Sequence, residues 1–509
     1  MSTAGTDASY WMYSTPTTAY PSLTADVDVE VAVIGGGIAG LCTAWELTQA
    51  GRSVALLEAD RVAAGVTGHT TAKLTALHTL AYTKITSSFG PAAARHYAQS
   101  QQQAVQRVAT VSAQLGIDCE LERLPAFTYR ESADGVDELR AEADAAAAAG
   151  LAASFVTETD LPFPVAGAVR VEDQAQFHPR KYLLALAEDL TRHGGRIFER
   201  TRATDLTDGD PCTVTTENGA TVTARHVVIA THYPVFDRAL LFARLQPRRE
   251  LVVAAPIDAD RDPDGAYLTT EQHTRSVRTA PLPDGRRLLI VTGEHFTPGA
   301  ADTARRWQRL IDWTQQRFPG TEISYRWATQ DNSTTDGVPF VGPFRPGTDN
   351  VWVATGFGGW GMSTGVMTGQ LLAASITGTE LPWASLYDPR RLHPLQEAGP
   401  MLKAQAKVAG HFVGDRLRPS QVESVDDIAA GCAAVLRLAG EQCAVYRDDT
   451  GQLHAVSARC THLGCVVAFN DAERAWECPC HGSRFAVDGA VIQGPANRAL
   501  ARRPVPQDR

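Results

Sequence analysis

The chain has 509 residues, 44% of them hydrophobic, which is enough for about three domains that each bury a core. Its formal net charge is −10 and no basic arm stands out, which argues against nucleic acid as a partner. The apolar runs are shorter than the roughly 20 residues of a membrane helix, and residues 1–25 are polar with no targeting signal. We therefore expect a cytoplasmic protein with no membrane partner.

The first predicted elements are a strand, a tight glycine turn, a helix and a second strand over residues 29–60. Gly35, Gly37 and Gly40 follow the G-x-G-x-x-G spacing, and Glu58 lies at the end of the second strand. In this motif the first glycine permits a sharp turn, the second lets the backbone approach a pyrophosphate, and the third lets helix and strand pack closely. A carboxylate at Glu58 suits a ribose hydroxyl and argues against a 2′-phosphate. The sequence therefore predicts one dinucleotide site, and no second fingerprint of this kind follows.

Two later segments extend this pattern. RHVVIATHYP at 225–234 is typical of a buried strand that breaks at a turn, and VWVATGFGGWGMSTGVMTGQLLA at 351–373 is typical of a strand, a glycine-rich turn and a helix. With DQAQFHPRKYLLALA at 173–187 and TTDGVPFVGP at 334–343, they resemble the D-amino-acid-oxidase and glycine-oxidase superfamily over most of residues 27–395. The resemblance implies FAD as cofactor and a small amine or amino-acid-like substrate. A plain strand–turn–helix packing unit is the alternative interpretation of 351–373.

The resemblance also implies which residues contact FAD. The candidate set is Gly35, Gly37, Ile38, Ala39, Gly40, Glu58, Ala59, His69, Thr70, Thr71, Ala203, Gly356, Trp360, Gly361 and Met362. The helix that begins near Gly361 would direct its N-terminus at the flavin, where it stabilises negative charge on the reduced ring. No catalytic acid or base can be identified. Arg275 and Arg278 could bind a carboxylate, although we expect them to be solvated at the surface.

His69 lies in the loop GVTGHTTAK at 65–73. It aligns with a histidine that, in relatives oxidising N-methylated glycines, is bonded covalently to the flavin 8α carbon. The alternative is a loop in which Thr70, Thr71 and backbone N–H groups surround the pyrophosphate, with His69 only as a hydrogen-bonding neighbour. Both interpretations remain open.

Near the other end of the chain, CTHLGC at 460–465 and CPCHGS at 478–483 combine cysteine and histidine at spacings that can ligate a [2Fe–2S] cluster. The two motifs resemble the Rieske proteins of respiratory and photosynthetic complexes. The resemblance implies one iron on Cys460 and Cys478 and the other on His462 and His481. It also implies a disulfide between the remaining cysteines, which are Cys465 and Cys480. A tetrahedral zinc site is the alternative.

Two further features bear on this centre. GPA at 494–496 resembles the proline loop that shields a Rieske cluster from water. Phe485 occupies the place where respiratory Rieske proteins have a tyrosine whose hydroxyl bonds a cysteine sulfur, whereas Ser483 remains as a donor. Because hydrogen bonds to sulfur favour the reduced cluster, we expect a potential below the respiratory type, near the middle of the range of roughly −150 to +300 mV.

The predicted fold class is an α/β FAD-binding domain, Rossmann-like and of the glutathione-reductase type, with an inserted α+β substrate domain and a small all-β Rieske domain. The superfamily plan is discontinuous. It assigns 27–90, 165–240 and 325–395 to FAD binding, 91–164 and 241–324 to the substrate domain, 396–417 to a connector and 418–509 to the Rieske domain.

Together the resemblances imply an FAD-dependent oxidoreductase that takes a hydride from its substrate and passes electrons singly through the cluster to a protein or oxygen. A Rieske oxygenase is disfavoured because too few residues follow His481 for a second iron site, and oxygenase-type domains lack the Cys465 and Cys480 pair. An electron carrier or redox sensor without its own substrate remains open. So does electron flow in the opposite direction, from cluster to flavin.

Overall fold

The structure, a computed structural model, describes residues 6–236, 241–392 and 420–504, together with the single residues 399, 402 and 410. Within these residues the helices are α1 Tyr10–Tyr13, α2 Ile38–Gln49, α3 Ala81–Phe89, α4 Pro91–Leu115, α5 Val136–Ala148, α6 Pro179–Arg192, α7 Thr303–Arg317, α8 Gly361–Thr377 and α9 Ala384–Tyr387. In this part of the chain, every helix is too short or too polar to cross a membrane.

The first sheet is the predicted dinucleotide-binding sheet. Its strands run in the order β16-β17-β10-β1-β2-β7, and β9 and β8 extend it from β10. Neighbours from β17 to β7 are parallel, and β16 is antiparallel. The strands are β1 Val27–Ile34, β2 Val54–Leu57, β7 Arg196–Phe198, β8 Ala203–Thr207, β9 Cys212–Thr216, β10 Thr221–Ile229, β16 Phe340–Pro343 and β17 Val351–Thr355. The buried runs of β1 and β2 are typical of parallel strands covered on both faces.

Helices α2 and α8 pack closely because glycines on α8 leave room for α2. A Cβ atom at Gly365 would lie 2.6 Å from the Ile38 side chain, and one at Gly369 would lie 2.7 Å from Cβ of Cys42. This contact brings the N-termini of both helices to the same edge of the sheet, beyond the carboxyl ends of β1 and β17. Ligands bind at this edge in open α/β sheets.

The second sheet has nine strands, in the order β15-β11-β14-β13-β12-β4-β6-β3 with β5 paired to β6. These are β3 Lys73–Leu74, β4 Glu122–Arg130, β5 Ala153–Val156, β6 Gly167–Gln176, β11 Leu245–Ile257, β12 Ala266–Thr269, β13 Arg275–Pro281, β14 Arg287–Phe296 and β15 Tyr325–Thr334. Strands β3, β6 and β15 lie in this sheet, although the predicted FAD-binding pieces 27–90, 165–240 and 325–395 contain them. The difference arises because sheet membership is decided by pairing with β4 and β11, which are distant in sequence. The remaining boundaries stay a prediction, and the connector at 396–417 lies almost entirely outside the described residues.

The C-terminal region is a small all-β domain, as predicted. One antiparallel sheet contains β18 Ala433–Leu438, β19 Glu441–Arg447 and β20 Leu453–Ser457, and the other contains β21 Ala468–Asn470, β22 Ala475–Glu477, β23 Arg484–Ala486 and β24 Val491–Gln493. One buried cluster joins residues of both sheets, including Tyr446, Val456, Trp476 and Phe485. The domain therefore has its own core.

Candidate active site and metal centre

The turn after β1 has the geometry that its glycines predict. Gly35 has a φ of +106°, and a Cβ there would overlap the carbonyl oxygen of Ala230. A Cβ at Gly40 would overlap the carbonyl oxygen of Gly35, so α2 can lie this close to the turn only with glycine at that position. Gly37 precedes the first residue of α2. The N–H of Ile38 donates to Thr67 Oγ1 at 3.0 Å, and the helix N-terminus borders the cavity, where a phosphate would be stabilised.

Glu58 is held beside this turn. Its carboxylate accepts hydrogen bonds from the backbone N–H groups of Gly36, at 2.7 Å, and Asp60, at 2.9 Å. Burial raises the pKa of the Glu58 carboxyl, while the two N–H groups act in the opposite direction. Each oxygen keeps a lone pair for a ribose hydroxyl.

A cavity of about 1290 Å³ extends from this turn to the N-terminus of α8. The candidate residues that line it are Gly35, Gly37, Ile38, Ala39, Glu58, Ala59, His69, Thr70, Thr71, Ala203, Gly356, Gly361 and Met362. Gly40 does not line the cavity, since its role is helix packing. Trp360 also lies outside the lining, and its ring stacks on buried His78 at 4.4 Å. The cavity and the glycine turn together fit a dinucleotide cofactor.

The glycine-rich turn before α8 is held by side chains that the sequence did not reveal. Arg248 donates to the carbonyl oxygen of Gly358 at 2.7 Å, and the Asp331 carboxylate accepts from the N–H of Gly359. Both Gly358 and Gly359 have positive φ, of +63° and +97°. Arg248 on β11 and Asp331 on β15 thus fix a turn whose backbone conformation only glycine adopts readily.

His69 closes a short 3-10 turn, Val66–His69, on the cavity wall. Its Nδ1 lies 2.9 Å from the carbonyl oxygen of Gly65, and Trp327 Nε1 donates to the His69 carbonyl oxygen at 2.8 Å. Since a carbonyl only accepts, Nδ1 carries the proton and Nε2 keeps its lone pair.

Lys73 lies on β3, the edge strand of the second sheet, and follows the cavity-lining Thr71 by two positions. Its Nζ donates to Thr71 Oγ1 at 2.7 Å and to Ser276 Oγ at 2.8 Å. Ser276 is directly opposite Thr292 on the neighbouring strand, and the Thr292 hydroxyl is buried with no hydrogen-bond partner among the described residues. Burial, followed by the Arg278 guanidinium, lowers the pKa of Lys73 to about 7, whereas Glu250 raises it.

From the sequence we expect Arg275 and Arg278 to be solvated at the surface, but both are buried. Arg275 pairs with Glu294 at 2.7 Å, and Arg278 donates to the carbonyl oxygens of Thr71 and Ala72. The expectation of solvated side chains is wrong because both lie on β13, in the interior of the sheet. The partner of Arg275 comes from the neighbouring strand β14, and those of Arg278 come from the loop before β3. Both guanidinium groups are already used in holding the protein together.

The cysteine and histidine motifs meet at the tips of two loops of the C-terminal domain. The ring centroids of His462 and His481 are 4.9 Å apart, and all four ring nitrogens are buried without a hydrogen-bond partner among the described residues. The Cys460 and Cys478 thiols contact each other, and this contact is the first cause of a lowered pKa at Cys460. Buried imidazoles without partners beside two thiols fit a mixed-ligand iron pair.

The two loops are joined by a disulfide between Cys465 and Cys480. The sulfurs of Cys465, Cys478 and Cys480 lie within 4.8 Å of one another. Because Cys465 and Cys480 are bonded to each other, Cys478 is the thiol of this group that can bind a metal. Around the centre, Ser483 Oγ accepts from the N–H of Ala496 at 3.0 Å, which ties the 494–496 loop to the ligand loop. Phe485 is fully buried opposite Trp476.

The two candidate sites adjoin each other. Ala230, Thr231 and His232, at the end of β10, line the large cavity, and the next residue, Tyr233, contacts both histidine rings with centroids 6.2 and 5.9 Å away. Phe242 contacts His481 at 5.9 Å. Residues of the C-terminal domain, among them Glu473 and Gly494, form part of the same cavity wall.

Comparison with known proteins agrees with both sites. The family model described as FAD dependent oxidoreductase (DAO) matches residues 30–375, and that of the Rieske [2Fe-2S] domain matches residues 419–504. The putative Rieske 2Fe-2S iron-sulfur protein YhfW of Bacillus subtilis (strain 168) is 35% identical over 493 residues, 96% of each chain. The cytochrome b6-f complex iron-sulfur subunit of Pisum sativum is 53% identical over 57 residues, which are 11% of this chain and 25% of that one.

Solved structures show the same fold for the larger part of the chain. Glycine oxidase from Geobacillus kaustophilus has a TM-score of 0.62 at 19% identity and covers 72% of this chain and 100% of its own. L-amino acid deaminase from Proteus vulgaris has a TM-score of 0.60 at 14% identity and covers 74% and 100%. The expected cofactors, FAD and a [2Fe–2S] cluster, are confirmed in preference to zinc. The chain belongs to the DAO family of FAD-dependent oxidoreductases and carries a C-terminal Rieske domain.

Proposed function

We propose that this protein oxidises a small amine or amino-acid-like substrate by hydride transfer to FAD and passes the electrons singly through the cluster to an external acceptor, either a protein or oxygen. FAD accepts two electrons as a hydride, whereas the cluster accepts one at a time. The observation that carries this proposal is the turn after β10, where His232 lines the FAD cavity and Tyr233 contacts both cluster histidines. A single turn of backbone thus adjoins both sites.

The hydrogen-bond donors around Lys73, next to the cavity-lining Thr71, favour a substrate that bears a carboxylate. Lys73 donates to the hydroxyls of Thr71 and Ser276, so each hydroxyl keeps its own proton to donate. The partnerless Thr292 hydroxyl lies opposite Ser276. The nearby Glu250 is engaged by His295 at 2.9 Å. We propose that this group of donors binds the carboxylate of the substrate.

An anaerobic screen of amines, amino acids and hydroxy acids tests the proposed function. We expect one class to bleach the flavin absorption and to produce the EPR signal of the reduced cluster in the same sample. If no compound bleaches the flavin but a reduced partner protein does, the protein is an electron carrier or redox sensor instead. Bleaching without a cluster signal would contradict transfer between the two centres.

We expect carboxylate binding to weaken as the pH rises through about 7, because Lys73 loses its proton there. Arg278 and Glu250 are the charged groups that face it. Burial lowers the pKa of Arg278 to about 9, which leaves its guanidinium charged at pH 7. Lys73→Met should flatten the profile and raise KM for a carboxylate substrate at pH 6 by roughly tenfold or more, the worth of a charged hydrogen bond. Lys84→Met, at an exposed lysine on α3, is the control. An unchanged KM in Lys73→Met would contradict this role.

We also propose that His69 can bond the flavin covalently, because His69 lines the cavity and its Nε2 keeps a lone pair while Nδ1 is held by the Gly65 carbonyl oxygen. Acid precipitation of the native protein should then carry the yellow colour into the pellet. His69→Ala should release it into the supernatant. Colour in the supernatant of the native protein would show that FAD is held by hydrogen bonds and packing alone.

For the cluster, we propose a potential below that of the respiratory type, since Phe485 offers no hydroxyl to a sulfur. Phe485→Tyr should raise the potential measured by EPR-monitored titration, and Ser483→Ala should lower it, because a hydrogen bond to sulfur favours the reduced state. A native potential at the top of the range of roughly −150 to +300 mV would contradict the proposal.

A further inference from the structure

A buried group of charges joins the Rieske domain to the second sheet. Arg249, on β11, is fully buried, and its guanidinium forms ion pairs with Glu473 and Glu477. Its Nη2 donates to Glu473 Oε1 at 2.9 Å. Glu477 is itself fully buried. Two carboxylates of one domain therefore meet a cation of the other, and Arg249 and Glu477 are shielded from water there.

Among the described residues, the other side chains that bind these two carboxylates, Arg484 and Asn470, belong to the Rieske domain, so Arg249 is their ion-pair partner from outside it. Arg484 pairs with Glu473 at 2.8 Å and with Glu477 at 3.3 Å, but it belongs to the Rieske domain itself. Across the interface the N–H of Gly299 also donates to Glu477, at 2.8 Å. The negative charges of the two carboxylates are matched by two guanidinium groups only while the domains are in contact.

A second contact lies at the ligand loop. Gln330 Nε2 donates to the carbonyl oxygen of Gly482 at 2.9 Å, and Gly482 directly follows His481. A Cβ at Gly482 would lie 2.5 Å from Gln330 Nε2 and 2.9 Å from Cβ of Pro247. The backbone beside His481 is thus seated against β11 and β15 with no room for a side chain.

We infer that Arg249 is a positioning residue that holds the Rieske domain permanently docked, so that electrons pass between FAD and the cluster without movement of the domain. Undocking would separate Arg249 from both glutamates and leave them with Arg484 as their guanidinium partner among the described residues. It would also break the contacts at Gly299 and Gly482. The docked position keeps His481 between Tyr233 and Phe242, beside the wall of the FAD cavity. The inference rests on the proposed function, from which it takes the electron transfer.

The test uses the complete protein with both cofactors and needs no substrate. Light reduces FAD with EDTA as the sacrificial electron donor, after which one electron leaves the reduced flavin and reduces one ferric iron of the cluster. We expect the rate of cluster reduction to stay unchanged as glycerol raises the viscosity. A rate that falls in proportion to viscosity would overturn the inference while leaving the proposed function intact, whereas no cluster reduction at all would contradict the proposed function.

The variant Arg249→Met should slow cluster reduction at least about tenfold and make it depend on viscosity, because it removes the charged interdomain contact. Arg275→Met is the matched control, since Arg275 is also a buried arginine paired with a buried glutamate, but within one sheet. Glu473→Gln is a milder second variant if Arg249→Met folds poorly, and Arg249→Lys should restore part of the rate.

Two further readouts separate positioning from general damage. Hydrogen exchange should increase at Gly299 and at 473–477 in Arg249→Met but not in Arg275→Met, whereas the potential and EPR spectrum of the cluster should stay as in the native protein. If Arg249→Met transfers electrons at the native rate, or if Arg275→Met slows them equally, Arg249 has no positioning role.

Discussion

The end of strand β10 is the place on which both redox sites depend. Gly35 can approach the backbone at Ala230 only because it has no side chain, and this contact sets the glycine turn of α2 against the end of β10. The residues that follow Ala230 first line the FAD cavity and then, at Tyr233, contact the histidines of the Rieske domain. One strand end therefore determines where the dinucleotide, the flavin cavity and the cluster lie relative to each other.

The part of the fold that was predictable is the part whose determinants are close together in sequence. Gly35, Gly37 and Gly40 lie within one turn and one helix start, so their spacing alone predicts the geometry found. The same holds for the two Rieske loops, in which Cys460 and His462 are two positions apart and Cys478 and His481 are three positions apart. The position of Trp360 in a glycine-rich turn predicts a contact with FAD, but its ring stacks on His78. No local sequence pattern indicates this contact.

Most of the unpredicted features depend on partners that are far away in the chain. Arg249 and Glu477 are separated by 228 positions, and Lys73 and Ser276 by 203. A single arginine or lysine in a sequence looks like a surface residue, because most are. Arg275 and Arg278 misled for the same reason, and only the pairing of β13 with its neighbours shows that they are interior. The sheet to which β6 and β15 belong was also unpredictable, because it depends on pairing with β4 and β11, which are distant in sequence.

The large cavity is enclosed by residues of two domains, which determines what covers a bound cofactor. Glu473, Arg484 and Gly494 of the Rieske domain face the same space as the glycine turn and the end of β10. Once that domain is seated, it covers one side of the chamber in which the nucleotide lies. A bound FAD would therefore be shielded from solvent on that side by the same domain that carries the cluster ligands.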